Sequence, residues 1–141
     1  MLNDGLKLTG KLKIALNGET VQEVDNLVVT DGKEYVASRM KDATKTAMSH
    51  MAIGSGSTAA AAGNSALGSE LGRVALTSTN VASNVVTYAA TFAAGTGTGA
   101  VTEAGSLNAN TSGELLCRTV FSVVNKGSSD SMTITWTVTV S

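Results

Sequence analysis

The chain ends in SMTITWTVTVS (Ser131 to Ser141), in which apolar and hydroxylated side chains alternate without a break. Such alternation is typical of a β-strand, because successive side chains of a strand point to opposite faces of the sheet. β-Branched residues at alternate positions also suit a pleated, half-buried surface better than a helix. We therefore expect one face of this strand to fill the middle of a core. That face carries Met132, Ile134, Trp136, Val138 and Val140.

Similar strand patterns recur along the second half of the chain. Glycine, asparagine and serine, the residues that favour turns, lie between them. Several short strands at near-regular spacing, with one helix, predict a mainly β protein, an antiparallel β-sandwich or jelly roll. The predicted strands are a short one through Met51 and Ile53 that ends at Gly54, then Arg73 to Thr79, Val85 to Phe92, Ala100 to Leu107, Leu115 to Val124 and the terminal strand.

Residues 1–30 have the pattern of an N-terminal hairpin. Leucine and isoleucine occupy the even positions 6, 8, 12, 14 and 16, and lysines occupy the odd positions 7, 11 and 13 on the opposite face. Asn17 and Gly18 follow, a dipeptide that tolerates the positive φ angles of a type I′ turn. We predict a first strand with one wet, basic face and a return strand through Val21 and Val24.

A short helix is predicted from Gly32 to Asp42. Asp31 precedes it as the N-cap residue, and Glu34 follows three residues later, which is the spacing of a capping box. In this helix Tyr35, Val36 and Met40 would face the sheet, while the exposed side would carry Lys33, Arg39 and Lys41.

Residues 54–71 are rich in glycine, alanine and serine, and predict a long, flexible loop. Loops of this length are uncommon unless they are functional or bound to a partner. With 141 residues, the chain is long enough for one domain with a continuous core, so we assign residues 1–141 to a single β-sandwich domain. Residues 73–141 would supply its main strands.

The charge pattern excludes several classes of protein. The net charge of −1 argues against direct nucleic-acid binding, which depends on an excess of lysine and arginine. No stretch approaches the roughly 20 apolar residues of a membrane helix, so we expect no membrane partner and synthesis in a cytoplasm. After Lys45 the only cations are Arg73, Arg118 and Lys126. A surface so poor in charge suits a protein that is packed against other subunits.

No residue pattern indicates a catalytic, cofactor or metal site, and we do not expect an enzyme. His50 is the single histidine, and a structural role on or near the surface is favoured over metal binding. Gly95, Gly97 and Gly99 favour a hairpin loop over a phosphate loop, because no helix pattern follows. Glu103 is either a functional carboxylate or, as we favour, the partner of Arg73 or Arg118 across the sheet. Cys117 is expected to be buried.

Several segments, in this order, resemble a family of small structural proteins of tailed bacteriophages. The resemblance covers nearly the whole chain and carries no catalytic residues. The segments are NLVVTDGKEYVASRM (Asn26 to Met40), MAIGSGST (Met51 to Thr58), ALGSELGRVAL (Ala66 to Leu76), VTYAATFAAGTGTGAVTEAG (Val86 to Gly105) and LLCRTVFSVVNKGSSDSMTITWTVTVS (Leu115 to Ser141).

This resemblance implies one of two functions. The first is a capsid cement (decoration) protein that binds the major capsid protein on the outside of an icosahedral head. The second is a tail-fibre or tail-tip module that recognises a host receptor or glycan. The chain contains no proline, a residue that commonly blocks the edges of sheets. Because homo-oligomers also prefer two-fold symmetry, we predict a homodimer. We predict partner contacts at Lys7, Lys11, Lys13, Thr58, Asn64 and Leu67. For the lysines alone, a solvated face is favoured over docking onto an acidic partner surface.

Overall fold

The computed structural model of the protein describes residues 5–41 and 45–141, which form ten β-strands and one α-helix. The elements are β1 (Leu8–Leu16), β2 (Glu19–Asp25), β3 (Leu27–Val28), α1 (Thr30–Met40), β4 (His50–Gly54), β5 (Glu70–Ala75), β6 (Ser78–Ala82), β7 (Val85–Phe92), β8 (Gly99–Leu107), β9 (Leu115–Lys126) and β10 (Met132–Val140).

The strands form two antiparallel sheets of five strands each. The first sheet has the order β2, β1, β10, β7, β6, and the second has the order β3, β9, β8, β4, β5. One hydrophobic cluster contains residues of both sheets, among them Ile14, Trp136 and Ile53. The predicted mainly β class and the antiparallel sandwich are therefore confirmed, with two strands more than an eight-stranded jelly roll.

The terminal strand lies at the centre of the first sheet, between β1 and β7. Its apolar side chains face the second sheet, and Trp136 is fully buried. Thr133, Thr135 and Thr137 point away from the core and are half-buried. The alternation in the sequence therefore predicted both faces of β10 correctly.

The segment after residue 72 differs from the prediction at one connection. The sequence predicted a single strand from Arg73 to Thr79 and a turn from Asn80 to Asn84. Instead β5 ends at Ala75 and β6 begins at Ser78, because the chain crosses here from the second sheet to the first. The turn is confined to Ser83 and Asn84. The strand predicted at Val85 to Phe92 has the bounds of β7.

The predicted capping box of the helix is wrong. The helix begins at Thr30, its N-cap residue is Val29, and no side chain caps it. The backbone supplies the acceptors instead, since the amide of Val29 donates to the carbonyl of Leu116 and that of Thr30 to the carbonyl of Ala62. Asp31 consequently lies in the first turn, where its negative charge still favours the helix N-terminus.

The packing of α1 confirms Tyr35 and Val36 as the side facing the core, but Met40 is 82 % exposed and not packed against the sheet. Gly32 is buried against the backbone of Leu116, which leaves no room for a side chain at that position. The predicted helix end at Asp42 lies outside the described residues. No helix within residues 5–41 and 45–141 is both long and apolar enough to cross a membrane.

The N-terminal hairpin is present as predicted. Asn17 and Gly18 have φ angles of 52° and 84°, as a type I′ turn requires. One irregularity was not predicted: the pairing of β1 with β2 shifts by one residue between Ile14 and Ala15, because β2 carries Val21 as an extra residue. This β-bulge decides which side chains of β2 lie opposite the lysines of β1.

Candidate functional site: two outer faces and a buried ion pair

The long loop, residues 55–69, covers the outer face of the second sheet. Its ends are joined, because the amide of Ser55 donates to the carbonyl of Ser69 at 2.8 Å. At its tip, the carbonyl of Ala62 accepts the amide of Thr30 at the start of α1. A compact loop with adjacent ends is an Ω-loop, a type that is frequently functional. We call residues 55–69 the Ω-loop.

Two charged side chains lie under the Ω-loop on the outer face of the second sheet. Glu103 extends from β8 and Arg118 from β9, and their side chains are 0 % and 2 % exposed. Arg118 Nη2 and Nε lie 2.9 Å and 3.0 Å from Oε1 of Glu103. Of the two arginines predicted as partners of Glu103, Arg118 is therefore the one that forms the ion pair.

Glu103 also accepts hydrogen bonds from both ends of the Ω-loop. The amide of Gly56 donates to Oε2 at 2.6 Å, that of Ser69 to Oε2 at 2.7 Å, and that of Gly68 to Oε1 at 2.8 Å. Three amides and two guanidinium nitrogens thus surround one carboxylate. Hydrogen bonds to an ionised acceptor are roughly twice as strong as neutral ones, so Glu103 fixes the two ends of the loop to the sheet.

Arg118 holds the middle of the Ω-loop. Its Nη1 donates to Oδ1 of Asn64 and its Nη2 to the carbonyl of Thr58, both at 3.0 Å. Thr102 adds a further bond, from its hydroxyl to the carbonyl of Gly56 at 2.8 Å. The loop is shorter than the predicted residues 54–71, because Gly54 belongs to β4 and Glu70 and Leu71 belong to β5. It was also predicted to be flexible, but hydrogen bonds hold it at each end and at its centre.

The environment of Glu103 keeps it ionised. Burial by itself would raise the pKa of Glu103, but the amides of Gly68, Ser69 and Gly56, together with Arg118, lower this pKa below its usual value. A carboxylate whose two oxygens accept from so many donors is not free to take a proton from a substrate. We therefore assign Glu103 a structural role in the loop.

Two glycines, Gly54 and Gly56, make this close approach possible. A Cβ atom on Gly56 would overlap the carboxylate of Glu103, and one on Gly54 would overlap the carbonyl of Ser69. A Cβ on Gly68 would meet Arg118 Nη2 at 3.5 Å and Glu103 Oε1 at 3.6 Å. Close packing therefore requires glycine at positions 54 and 56. The glycines that predicted a flexible loop are explained here by the lack of space for a side chain.

The predicted contact residues of the Ω-loop have mixed positions. Thr58 is exposed, whereas Asn64 accepts from Arg118 and Leu67 packs against the small hydrophobic cluster of Ala52 and Leu115. Part of the predicted set is thus used inside the molecule. The exposed surface of the loop is instead uncharged and made of small side chains, namely Ser55, Ser57, Thr58, Ala59, Ala61, Ala62, Ser65, Ala66 and Ser69.

The predicted basic stripe lies on the opposite side of the molecule, on the outer face of the first sheet. Lys11 lies between Asp25 of β2 and Thr137 of β10, and Lys13 has the equivalent neighbours Glu23 and Thr135. These rows line a shallow groove of about 430 Å³. Each of these two lysines therefore has an acid on the neighbouring strand, so the face is mixed in charge. Lys7 is exposed just before β1.

The two sets of predicted contact residues are therefore not brought together. Lys11 and Lys13 belong to one outer face of the sandwich, whereas Thr58, Asn64 and Leu67 belong to the other. A single flat partner surface cannot contact both faces at once. If both sets make contacts, they do so with different partners or with different copies.

The remaining candidates have structural positions. His50 is half-buried and its Nδ1 lies 2.8 Å from the hydroxyl of Ser49. Cys117 is fully buried, and burial raises the pKa of its thiol. Gly95 and Gly97 have positive φ angles in the β7 to β8 connection, as a loop of this kind needs. Among the described residues, no group of three or more histidine, cysteine, aspartate or glutamate side chains could hold a metal ion.

Lys126 is a buried cation that sequence reasoning did not single out. It is 1 % exposed, and its Nζ donates to the carbonyls of Ala93 and Asp130 at 2.9 Å and 2.7 Å. Burial lowers the pKa of Lys126, which the nearby Asp130 carboxylate opposes. One signal could have revealed it: Arg118 and Lys126 are isolated cations in a part of the chain with few charges.

No protein-family model, no curated protein and no solved structure matches this chain.

Proposed function

We propose that the protein is a capsid cement (decoration) protein of a tailed bacteriophage, which binds the outside of an icosahedral head and stabilises the contacts between capsomers. Its partner is the major capsid protein, and its location is the exterior of the virion. The resemblance of the sequence segments supports this context. The observation that carries the proposal is the Ω-loop, an uncharged surface held in one conformation by Glu103 and Arg118.

A fixed loop suits a protein that acts only by binding. Ordering a mobile loop on association opposes binding by about 0.5–1.5 kcal/mol for each immobilised, rotamer-rich side chain. The exposed Ω-loop carries alanine, serine and threonine, which have little side-chain freedom to lose. Because its surface is also uncharged, its contacts would depend little on salt concentration.

The arrangement of the two faces suggests an orientation on the shell. The Ω-loop face would contact the capsomers, and the face with Lys11 and Lys13 would contact solvent or a neighbouring molecule. Charged side chains are depleted at the centres of protein interfaces, which favours the uncharged face as the contact. Many copies on one shell would each need only modest affinity, because contacts that hold several capsomers add through effective concentration.

The experiment is co-sedimentation of the purified protein with expanded, undecorated heads. We expect saturable binding of many copies per head. Ala59→Glu and Ala66→Glu place a charge on the exposed Ω-loop and should weaken binding at least tenfold, which is about 1.4 kcal/mol. Thr137→Glu introduces the same charge on the opposite face, beside Lys11, and is the matched control with unchanged binding.

A tail-fibre or tail-tip module is the second candidate function. The groove of about 430 Å³ favours it, since hydroxyl and charged groups of Thr135, Thr137, Lys11 and Glu23 line a concave surface that could bind sugar hydroxyls. Glycan sites, however, commonly use exposed aromatic rings, and the five aromatic residues of this chain are all buried. Binding to host cells or tails, with no binding to heads, would establish this second function and exclude the first.

A further inference from the structure

The free edge of β6 differs from the other sheet edges of the molecule. All five residues of β6, Ser78 to Ala82, are exposed, and the strand pairs with β7 on one side. From Val74 to Thr102 the sequence contains neither a charged residue nor a proline. Natural proteins usually block such edges with charges, prolines or bulges, because an open edge pairs with other strands.

The three other edge strands of the described residues each have a recognisable block. β2 carries three acids and the bulge at Val21. β3 is two residues long. β5 carries Glu70 and Arg73, which form an ion pair at 2.7 Å. β6 is the one edge in the described ranges that is both uncharged and longer than two residues.

The hairpin geometry shows which backbone groups of β6 are available. A two-residue turn at Ser83 and Asn84 joins β6 to β7, so Ala82 and Val85 form a hydrogen-bonded pair. Hydrogen-bonded and non-hydrogen-bonded pairs alternate along an antiparallel ladder. Thr79 and Val81 therefore direct their N–H and C=O groups away from β7, toward the free edge. The side chain of Val81 is also 68 % exposed.

We propose that a second copy of this chain pairs antiparallel with β6 about a two-fold axis at Asn80, which joins the two first sheets into one continuous sheet. In this register Thr79 lies opposite Val81 of the partner subunit, and the symmetry repeats the pair. Each pair exchanges two backbone hydrogen bonds, four in total. No charges meet, and two β-branched side chains are placed opposite each other on the same face.

The contact is small. Stable interfaces bury about 800 Å² on each partner, more than a five-residue strand provides, so association in dilute solution is weak. Copies held side by side on a surface would pair more completely because their effective concentration is high. The proposal does not depend on the proposed function, since a weak dimer can form whatever the protein binds.

Cysteine cross-linking tests the register. The two Asn80 residues would form a non-hydrogen-bonded pair with Cα atoms about 4.5 Å apart, within the range of about 4.4–6.8 Å that a disulfide allows. Asn80→Cys should therefore give a covalent dimer under mild oxidation at high protein concentration. Ser78→Cys is the matched control, because its two copies would be about 13 Å apart along the strands. Cys117 is fully buried and does not compete.

A second pair of variants tests the edge itself. In the Asn80→Cys background, Val81→Lys should lower the yield of cross-linked dimer at least tenfold, whereas Val21→Lys, at the exposed β2 edge, should leave it unchanged. Equal cross-linking of the 78 and 80 variants, or no effect of Val81→Lys, would overturn the proposal. So would protection of the Thr79 and Val81 amides only upon head binding, which would identify a shell strand as the partner.

Discussion

The two outer faces of the sandwich differ in how their polar side chains are accommodated: one face is open to solvent and the other is covered by the Ω-loop. On the first sheet, Lys13 is exposed and Thr135 is half-buried, and both line an open groove. On the second sheet, Glu103 and Arg118 lie under a loop, and each is satisfied by defined partners. An open face tolerates many polar sequences, whereas a covered face tolerates few, because an unpaired buried charge is strongly destabilising.

The largest effect that tests this difference is expected for Glu103→Ala. The substitution removes the acceptor for three amides and leaves the Arg118 guanidinium buried without its carboxylate. Breaking a buried pair in this way destabilises a protein by about 3–5 kcal/mol, a large part of the roughly 5–15 kcal/mol of a typical domain. Urea unfolding gives the change in the free energy of unfolding.

Glu114→Ala is the matched control for that measurement. Glu114 forms an ion pair with Lys45 at 3.2 Å, but about a third of its side chain, 32 %, is exposed. A partly exposed pair of this kind contributes at most about 1 kcal/mol. If the two variants lost the same free energy of unfolding, the buried Glu103–Arg118 pair would contribute no more to stability than a partly exposed ion pair.

A smaller effect is expected for Gly56→Ala, which breaks the close approach of the Ω-loop to Glu103. The added methyl group would overlap the carboxylate, so either the loop or Glu103 must move. Overpacking of this kind costs about 1–3 kcal/mol. Thermal unfolding measures it, and increased amide exchange at Gly68 and Ser69 would locate the disturbance.

Gly63→Ala in the same loop is the control. No atom lies within 4 Å of a Cβ at this position, and its φ is not positive. Alanine there should leave stability unchanged or raise it by about 0.4–1 kcal/mol, because it restricts the unfolded chain. If both glycine variants were neutral, flexibility would explain the glycines better than packing does.

The sequence predicted the parts of this structure that depend on periodicity or on one dipeptide. The alternation around Trp136 defined the central strand and its buried face, and Asn17 with Gly18 defined the hairpin turn. The charge-poor second half of the chain limited the partners of Glu103 to two arginines, and Arg118 is the one it binds.

What the sequence could not show are relations between distant segments. Three loop amides, Gly56, Gly68 and Ser69, meet Glu103 only because β4 and β8 are neighbours, and nothing local encodes that pairing. Likewise, the helix starts at Thr30 because backbone carbonyls of β9 and the Ω-loop accept its first amides. The Asp31 side chain therefore does not cap the helix, although its position in the sequence predicted that it would.

The charge pattern of the open face depends on the register of β1 and β2, which the sequence did not reveal either. A two-residue turn at Asn17 and Gly18 without irregularity would place Gln22 opposite Lys13. The bulge at Val21 shifts the pairing by one residue and places Glu23 there instead. The mixed charge of this face is therefore a consequence of one extra residue in β2.

The smallest predicted effect tests that register. Lys13→Glu places two acids opposite each other on β1 and β2, which should destabilise the protein by about 0.2–1 kcal/mol. Exchanging the pair, with Lys13→Glu and Glu23→Lys together, should restore most of the loss, whereas Lys13→Glu with Gln22→Lys should not. The effect should shrink in high salt, because the pair is solvent-exposed. Rescue by position 22 in preference to 23 would mean that the bulge is absent in solution and that the lysines form a uniformly basic stripe.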